Sequence, residues 1–481
     1  MRIGVVVLAL IAVVVFAVMT HVARPGERVS LLVTGGPVVT MDANATVIAD
    51  GAIAVNGTTI VAVGPRADIE ARYAAATVID VYGQIILPGL INTHTHVPMV
   101  LYRGLADDLA LMDWLTKYIF PAEKATVSPE FVRIGTRLAA LEMIQSGTTT
   151  FADMYYFESD IAEETRAAGL RAVLGQSVIQ FPVADAATPE AALVRAEAFI
   201  SKWKDDPLVT PAVAPHSPYT LDGKTLQAAR ALANKYNVPL LIHLAETKDE
   251  IKTVQDAHHT TPARYLESLG VWNGRSLAAH AVWLDAADMQ VLHDRGVGLA
   301  HNPESNMKLA SGIAAVPEWL SRGIRAGLGT DGAASNNDLD MFEAMRMAAM
   351  LHKVATSDPR VMPARTALEL ATRRGAEALG LGDRIGSLEA GKQADIITVA
   401  VDGARQTPMF DPMSHLVYVS RGDDVRTTVV AGRVLMDRGL VRSLRQEEVL
   451  RDARAMADRV RVAVQQGSKS AVGAGGAASA K

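Results

Sequence analysis

The chain has 481 residues, with 47 Lys and Arg against 52 Asp and Glu, for a net charge of −5. That balance lacks the basic excess of a nucleic-acid binder, and 49% hydrophobic with 21% charged residues describes a folded globular chain, not a disordered one. Cysteine is absent, which excludes disulfides, thiolate metal sites and cysteine nucleophiles and leaves any metal to His, Asp or Glu.

Residues 3–19 carry no charged side chain and follow Arg2. The stretch is long for the core of a secretory signal and short for a span of about 20 residues. It predicts a signal peptide or membrane anchor over 1–28, hence an exported or membrane-anchored protein, periplasmic or at the cell envelope. The alternatives are a buried helix and a cytoplasmic location. From Val29 the chain reads as short β-branched strands at Val29–Val33, Pro37–Met41, Gly51–Val55, Thr59–Val63 and Thr77–Val81, parted by Gly, Asn and Asp turns. The same texture returns at Asp395–Val401, Leu416–Ser420, Val425–Val430 and Arg433–Met436. One small composite β-sandwich built from both chain ends, 29–88 plus 388–441, follows from this.

Between the two ends, apolar strands alternate with amphipathic helices such as Pro129–Gln145, Pro189–Lys204 and Gly223–Tyr236. The expected strands are Ile85–Asn92, Thr148–Asp153, Arg171–Val178, Leu208–Ala214, Pro239–Leu244, Ser276–Ala279, Val297–Ala300 and Arg325–Gly329. This is an α/β pattern with a parallel sheet, and eight strands over such a length match a (β/α)8 TIM barrel, here 89–387. A doubly wound sheet is the alternative. A helix over 442–466 and a Gly/Ala/Ser-rich tail over 467–481, expected to be disordered, close the chain.

The polar residues that stand out fall at the C-terminal ends of these strands, where barrel enzymes place their chemistry. His94 and His96 sit two apart, so a strand can present both imidazoles to one point. His243 ends the fifth strand and Asp331 the eighth. A lone histidine at a strand end is more often a satisfied core residue, but four ends that agree make a ligand set suited to one divalent ion. Zn²⁺ comes first, with Fe²⁺ or Mn²⁺ as alternatives. The fourth strand ends in Pro215-His216 and offers no lysine that could bridge two metals. His280, ending the sixth strand, could orient water or shuttle its proton, and Glu246 could donate one. His216 and His301 end two further strands, with loop hydrogen bonding and substrate contact equally open. Glu123, in a loop after a helix, reads by spacing alone as a solvated charge. His258, His259, His293, His352 and His415 receive no role.

Pro88-Gly-Leu-Ile-Asn-Thr-His-Thr-His96, Ile242-His-Leu-Ala-Glu246, the His280 strand, His301-Asn-Pro-Glu-Ser-Asn306 and Gly329-Thr-Asp-Gly-Ala-Ala-Ser-Asn-Asn337 together resemble the amidohydrolase superfamily. Within it the chain is similar to the mononuclear methylthioadenosine/S-adenosylhomocysteine deaminases and related chlorohydrolases, over roughly residues 30–440. The resemblance implies that His94, His96, His243 and Asp331 bind the metal and that Glu246, His280 and Asp331 handle protons. It implies substrate contact for His216 and Ser335, and a ribose-diol grip for Glu123 in Phe120-Pro-Ala-Glu123. The implied reaction is hydrolytic deamination of an amino-substituted heterocycle, an adenine nucleoside above all, by hydroxide on the metal with release of ammonia. Homo-oligomers are implied too.

One departure stands out: Gln176 occupies the third-strand place where relatives acting on S-adenosylhomocysteine carry Arg, and an amide does not replace a guanidinium. Methylthioadenosine or an adenosine-like substrate therefore ranks above S-adenosylhomocysteine. An s-triazine or guanine-type deaminase or chlorohydrolase is the enzymatic alternative, and a non-catalytic barrel scaffold the alternative of another class.

Overall fold

The computed structural model describes residues 26–478, with side chains through residue 466. The apolar stretch at 3–19, and the leader read in it, lie outside the described residues. No helix among the described residues is long and apolar enough to cross a membrane.

The two chain ends build one nine-stranded sheet. The segments expected at Val29–Val33 and Pro37–Met41 join into a single strand, Glu27–Val39, whose pairing register shifts around Gly36. It pairs antiparallel with Val47–Asn56 and parallel with Tyr73–Asp80. The late segment Ile396–Ala400 docks antiparallel on Gln84–Pro88, and Val425–Val430 docks on Ile396–Ala400. Inward-facing Val33, Ile53, Ile60, Ile86, Ile396 and Val429 form the sheet's own apolar core.

The middle of the chain folds as a (β/α)8 barrel of eight parallel strands in sequence order: Leu90–Thr95, Thr148–Tyr155, Arg171–Val178, Val209–Pro215, Leu240–Leu244, Ser276–His280, Gly298–His301 and Ala326–Leu328. The connecting helices start where their caps predict. Ser128, Thr188, Asp222 and Thr247 each accept a backbone N–H in the first turn of the helix that follows. The last strand is only three residues long, so the seam to the first strand is closed largely by other groups. Thr93 Oγ1 donates to the Leu328 carbonyl at 2.8 Å, Asn92 Nδ2 to Thr330 Oγ1 at 2.7 Å, and Asp331 N to the His94 carbonyl at 2.9 Å. This stitching already ties the first histidine strand to Asp331.

Three expectations change. The strand expected over Ile85–Asn92 is two strands: Gln84–Pro88 belongs to the composite sheet and Leu90–Thr95 to the barrel. The break falls at Gly89, where a Cβ would stand 2.1 Å from Thr149 Oγ1, so only glycine lets the chain pass from one sheet to the other. Leu416–Ser420, expected as a strand, lies mostly in the helix Pro412–Tyr418. Asp411 caps its N-terminus by accepting from Ser414 N at 2.7 Å, and Pro412 occupies a first-turn position that needs no donor. The closing helix runs Gln446–Ala478 and does not stop at 466.

Composite sheet and barrel are joined by a buried ion pair. Arg171, at the start of the third barrel strand, donates through Nε to Asp395 Oδ2 at 3.0 Å and through Nη2 to Oδ1 at 3.2 Å. Asp395 also accepts from Ala431 N at 2.7 Å. Asp395→Ala strands the guanidinium in the interior and is expected to cost about 3–5 kcal/mol, read from urea unfolding of the two proteins.

Candidate metal centre and active site

Three imidazoles and one carboxylate converge at the C-terminal mouth of the barrel. His96 Nε2 lies 3.3 Å and His94 Nε2 3.5 Å from Asp331 Oδ1, and His243 Nε2 lies 3.4 Å from His96 Nε2. Ligand atoms on bonds of about 2 Å at tetrahedral angles stand roughly 3.3 Å apart, so these spacings are those of a shared cation. His94 Nε2 is sealed from solvent and has no hydrogen-bond partner, a costly state that a metal ion would relieve. The tautomers agree. His96 Nδ1 donates to the Met154 carbonyl at 2.7 Å and His243 Nδ1 to the His216 carbonyl at 2.8 Å, so Nε2 is the ring nitrogen each turns to the centre. A divalent ion fits this donor set.

Asp331 is oriented by three groups. Its Oδ1 accepts from Gly332 N at 2.8 Å, and its Oδ2 from Ser305 Oγ at 2.6 Å and Ser335 Oγ at 3.1 Å. Burial works against its charge, but His94 and His96 hold the carboxyl well below its usual range. Burial alone would lower both imidazoles. It prevails at His94, down to about 4, while Asp331 outweighs it at His96, up to about 9.

Glu246 and His280 stand beside the cluster, with His280 Nε2 3.9 Å from Glu246 Oε2. His280 Nδ1 donates to Asn306 Oδ1 at 2.9 Å, which leaves the Nε2 lone pair facing the pocket. By strand alternation His280 would share the outward face of Ala278, because Ala279 packs in the barrel interior. A left-handed backbone at His280, φ 72°, re-aims it, and Asp331 has the same conformation at φ 63°. Such strain in non-glycine residues persists where the surroundings over-determine it, commonly at functional sites. Burial pushes the Glu246 carboxyl upward, against the pull of His280. Its backbone N–H and that of Ala245 both donate to Glu250, at 2.9 and 2.7 Å, which pins the turn that carries it.

One pocket contains His96, His243, Glu246, His280 and Asp331 on one side and Glu123 with Tyr155 on another, with Trp114 and Leu111 among its apolar walls. Glu123 is not the solvated loop charge that spacing suggested. It lies in the helix Phe120–Thr126, folded over the mouth and 7% exposed. Tyr155 donates to its Oε1 at 2.7 Å. Burial pushes Glu123 up to about 7, against the pull of Tyr155 and His96. His216 lines the same pocket, and burial with the neighbouring histidines lowers it to about 3, so it is neutral.

Three expected substrate contacts fall elsewhere. His301 shares the outward parity of Leu299, and its Nε2 meets His352 Nε2 at 3.2 Å behind the barrel wall. Ser335 stands behind Asp331 and orients it. Gln176 is committed to Asp185, donating through Nε2 to Oδ2 at 2.8 Å. Sequence reasoning missed Ser305, Asn306, Tyr155 and Glu250. The Asn-Pro-Glu-Ser-Asn306 motif pointed at the first two, and the Thr247 cap with Glu250 three residues on could have exposed the last. No spacing signals Tyr155.

The description "Amidohydrolase family" matches residues 85–435, and a bacterial imidazolonepropionase-like composite domain matches 51–76. A 5-methylthioadenosine/S-adenosylhomocysteine deaminase of Syntrophobacter fumaroxidans is 47% identical over 90% of this chain and 98% of its own length. A 5′-deoxyadenosine deaminase of Methanosarcina acetivorans is 42% identical over 89% and 98%. The crystal structure of an adenosine deaminase from Xanthomonas campestris with bound zinc superposes with a TM-score of 0.89 at 39% identity, covering 91% of this chain and 100% of that one. The zinc complex of atrazine chlorohydrolase from Arthrobacter aurescens gives 0.83 at 27% identity, covering 89% and 100%. With a match spanning most of the barrel and relatives this similar over nearly their whole length, the chain belongs to the amidohydrolase family.

Proposed function

We propose that the protein is a metal-dependent hydrolytic deaminase of adenine nucleosides that carry an uncharged 5′ group. The observation that carries this reading is one pocket that brings a buried carboxyl, Glu246, and an imidazole, His280, beside the ligand cluster and includes a second buried carboxyl, Glu123. Relatives named for deamination of adenine nucleosides support the substrate class.

Ligand atoms of His94, His96 and His243, and of His94, His280 and Asp331, form two overlapping groups; of these, His94, His96, His243 and Asp331 would hold one divalent ion, with zinc favoured by the similar structures that contain it. Bound there, the ion lowers the pKa of water toward 7 and polarises the bond under attack. Glu246, whose carboxyl burial shifts upward, donates to the ring nitrogen beside the amine-bearing carbon. His280 accepts a proton at Nε2 and can return it to the departing amine. Glu123 Oε1 is taken by Tyr155, which leaves Oε2 to accept from the ribose hydroxyls. The Gln176 amide, tied to Asp185, brings no positive charge for an amino-acid carboxylate, which places S-adenosylhomocysteine below nucleosides with a neutral 5′ substituent. The apolar residues 3–19 remain the basis for reading the chain as exported or anchored; the N-terminal mass of the protein from fractionated cells tests that.

Ammonia release is measured across adenosine, 5′-deoxyadenosine, 5′-methylthioadenosine, S-adenosylhomocysteine and guanine, with chloride release from a chloro-s-triazine and metal content on the same sample. Fastest turnover on the neutral nucleosides is expected. Chloride release without nucleoside deamination would replace this reading with the triazine one, and metal-free, inactive protein would restore the scaffold reading.

Glu123 adds a pH signature. Its carboxyl sits up at about 7 in the free protein, and only the carboxylate accepts fully from a diol. KM for nucleosides is therefore expected to fall as pH rises through about 7, and Glu123→Gln should flatten that slope while raising KM. An unchanged KM profile in the variant would remove Glu123 from the ribose.

A further inference from the structure

Outside the mouth of the barrel, four acidic residues gather on elements that hold Asp331 in place. Glu304 lies in the helix Pro303–Lys308 after the seventh barrel strand, Asp338 in the loop after the eighth, and Asp340 and Glu343 at the start of the helix Met341–Thr356. One carboxylate oxygen from each of Glu304, Asp338 and Glu343 lies within 4.8 Å of the others. Asp340 is occupied, its Oδ1 accepting from Phe342 N at 2.9 Å and its Oδ2 from Gly422 N at 3.0 Å. Asp338 Oδ1 accepts from Asp340 N at 2.8 Å. Glu304 differs: both its carboxylate oxygens are shut off from solvent and neither has a hydrogen-bond partner.

Among the described residues no Lys, Arg or His forms an ion pair with Glu304, Asp338, Asp340 or Glu343; the nearby Arg103 pairs with Glu142, and Lys308 with Asp107. Burial pushes the Glu304 carboxyl well up, Asp338, Glu343 and Asp340 push it further, and only the Asn336 side chain pulls the other way. A cluster of like charges around an enclosed, unpaired carboxylate is unfavourable unless a proton or a cation joins it. The helix N-terminus at Asp340 favours Glu343 electrostatically but supplies no donor to Glu304. The donor set is all oxygen, which selects a hard cation, not a nitrogen-seeking one. A surface groove containing Asp338, Asp340 and Glu343 opens it to solvent.

We propose that Glu304, Asp338 and Glu343 form a second cation site, for a hard divalent ion of the Ca²⁺ class, separate from the histidine centre. Its place gives it a structural role. Ser305, next to Glu304, donates to Asp331 Oδ2 at 2.6 Å, and the loop from Gly332 to Leu339 carries both Ser335 and Asp338. An ion there clamps the helix after the seventh strand to the loop after the eighth, the two elements that orient Asp331.

The test is calorimetric titration of Ca²⁺ into the full-length protein already loaded with its histidine-site metal, with thermal unfolding in parallel. About one Ca²⁺ per chain is expected, with Kd in the range of about 10⁻⁵ to 10⁻³ M and a Tm that rises with added Ca²⁺. Glu304→Gln and Asp338→Asn should each weaken binding about tenfold or more and abolish the Tm rise, whereas Glu246→Gln should bind Ca²⁺ as the parent does. No heat and no Tm shift at about 1 mM Ca²⁺, Mg²⁺ or Mn²⁺, or binding unchanged in both cluster variants, would overturn the site.

Discussion

Glu246→Gln is expected to keep its metal and lose about 10²- to 10⁴-fold in kcat. The substitution is isosteric, and Glu246 is not among the groups whose ligand atoms cluster around His94. Its backbone stays pinned by Glu250, and its Oε1 contact with Ser311 Oγ at 3.5 Å is weak enough to lose at little cost. What disappears is the exchangeable proton. Burial raises the parent carboxyl and so strengthens its hold on that proton, and an amide N–H does not transfer one to a ring nitrogen. Steady-state ammonia release with zinc content on the same preparation decides the matter: metal near one per chain with collapsed kcat supports the role, and near-parental kcat removes it.

Asp331→Asn is expected to do the opposite and lose the metal itself. In the proposed ligand set Asp331 contributes the one negative charge beside imidazoles, in an interior where charge is weakly screened. Three donors and two histidines surround that carboxylate. The neutral amide keeps the shape but leaves part of that arrangement facing an N–H. Loss of a hydrogen-bond partner to a ligand costs about 10- to 100-fold in metal affinity or activity, the effect expected for Ser305→Ala. Loss of the ligand charge should exceed about 100-fold. Competition with a chelating dye measures both, and full metal occupancy in Asp331→Asn after dialysis would place the ion elsewhere. The two variants separate proton transfer from metal retention, two functions that a single activity loss would merge.

The residues most legible in the sequence were those at barrel strand ends. The His94–His96 pair, His243 and Asp331 are far apart in the chain, but parallel strands carry their C-terminal ends to one mouth, so the long separations between them hardly mattered. His301 shows where the same logic stops. It ends a strand as His280 does, yet alternation turns it outward onto His352, whereas the positive φ at His280 breaks the alternation and turns that ring inward. No periodicity reveals one left-handed residue. Glu123 was illegible from spacing and was singled out only by the family resemblance: its helix reaches the pocket by folding across the mouth, and burial, not local sequence, sets its ionisation.

By itself the sequence determined the alternation of strands and helices and the two-ended sheet, and it singled out the strand-end histidines and aspartate proposed as metal ligands, because each depends on local periodicity or on a strand end. Tertiary structure alone decided where Gly89 hands the chain from sheet to barrel, that Pro412–Tyr418 is helical, which side chains stand behind Asp331, and that Glu304 meets Asp338 and Glu343. Those outcomes depend on enclosure and on the contact of segments that are not neighbours in the chain, and local pattern carries no record of either.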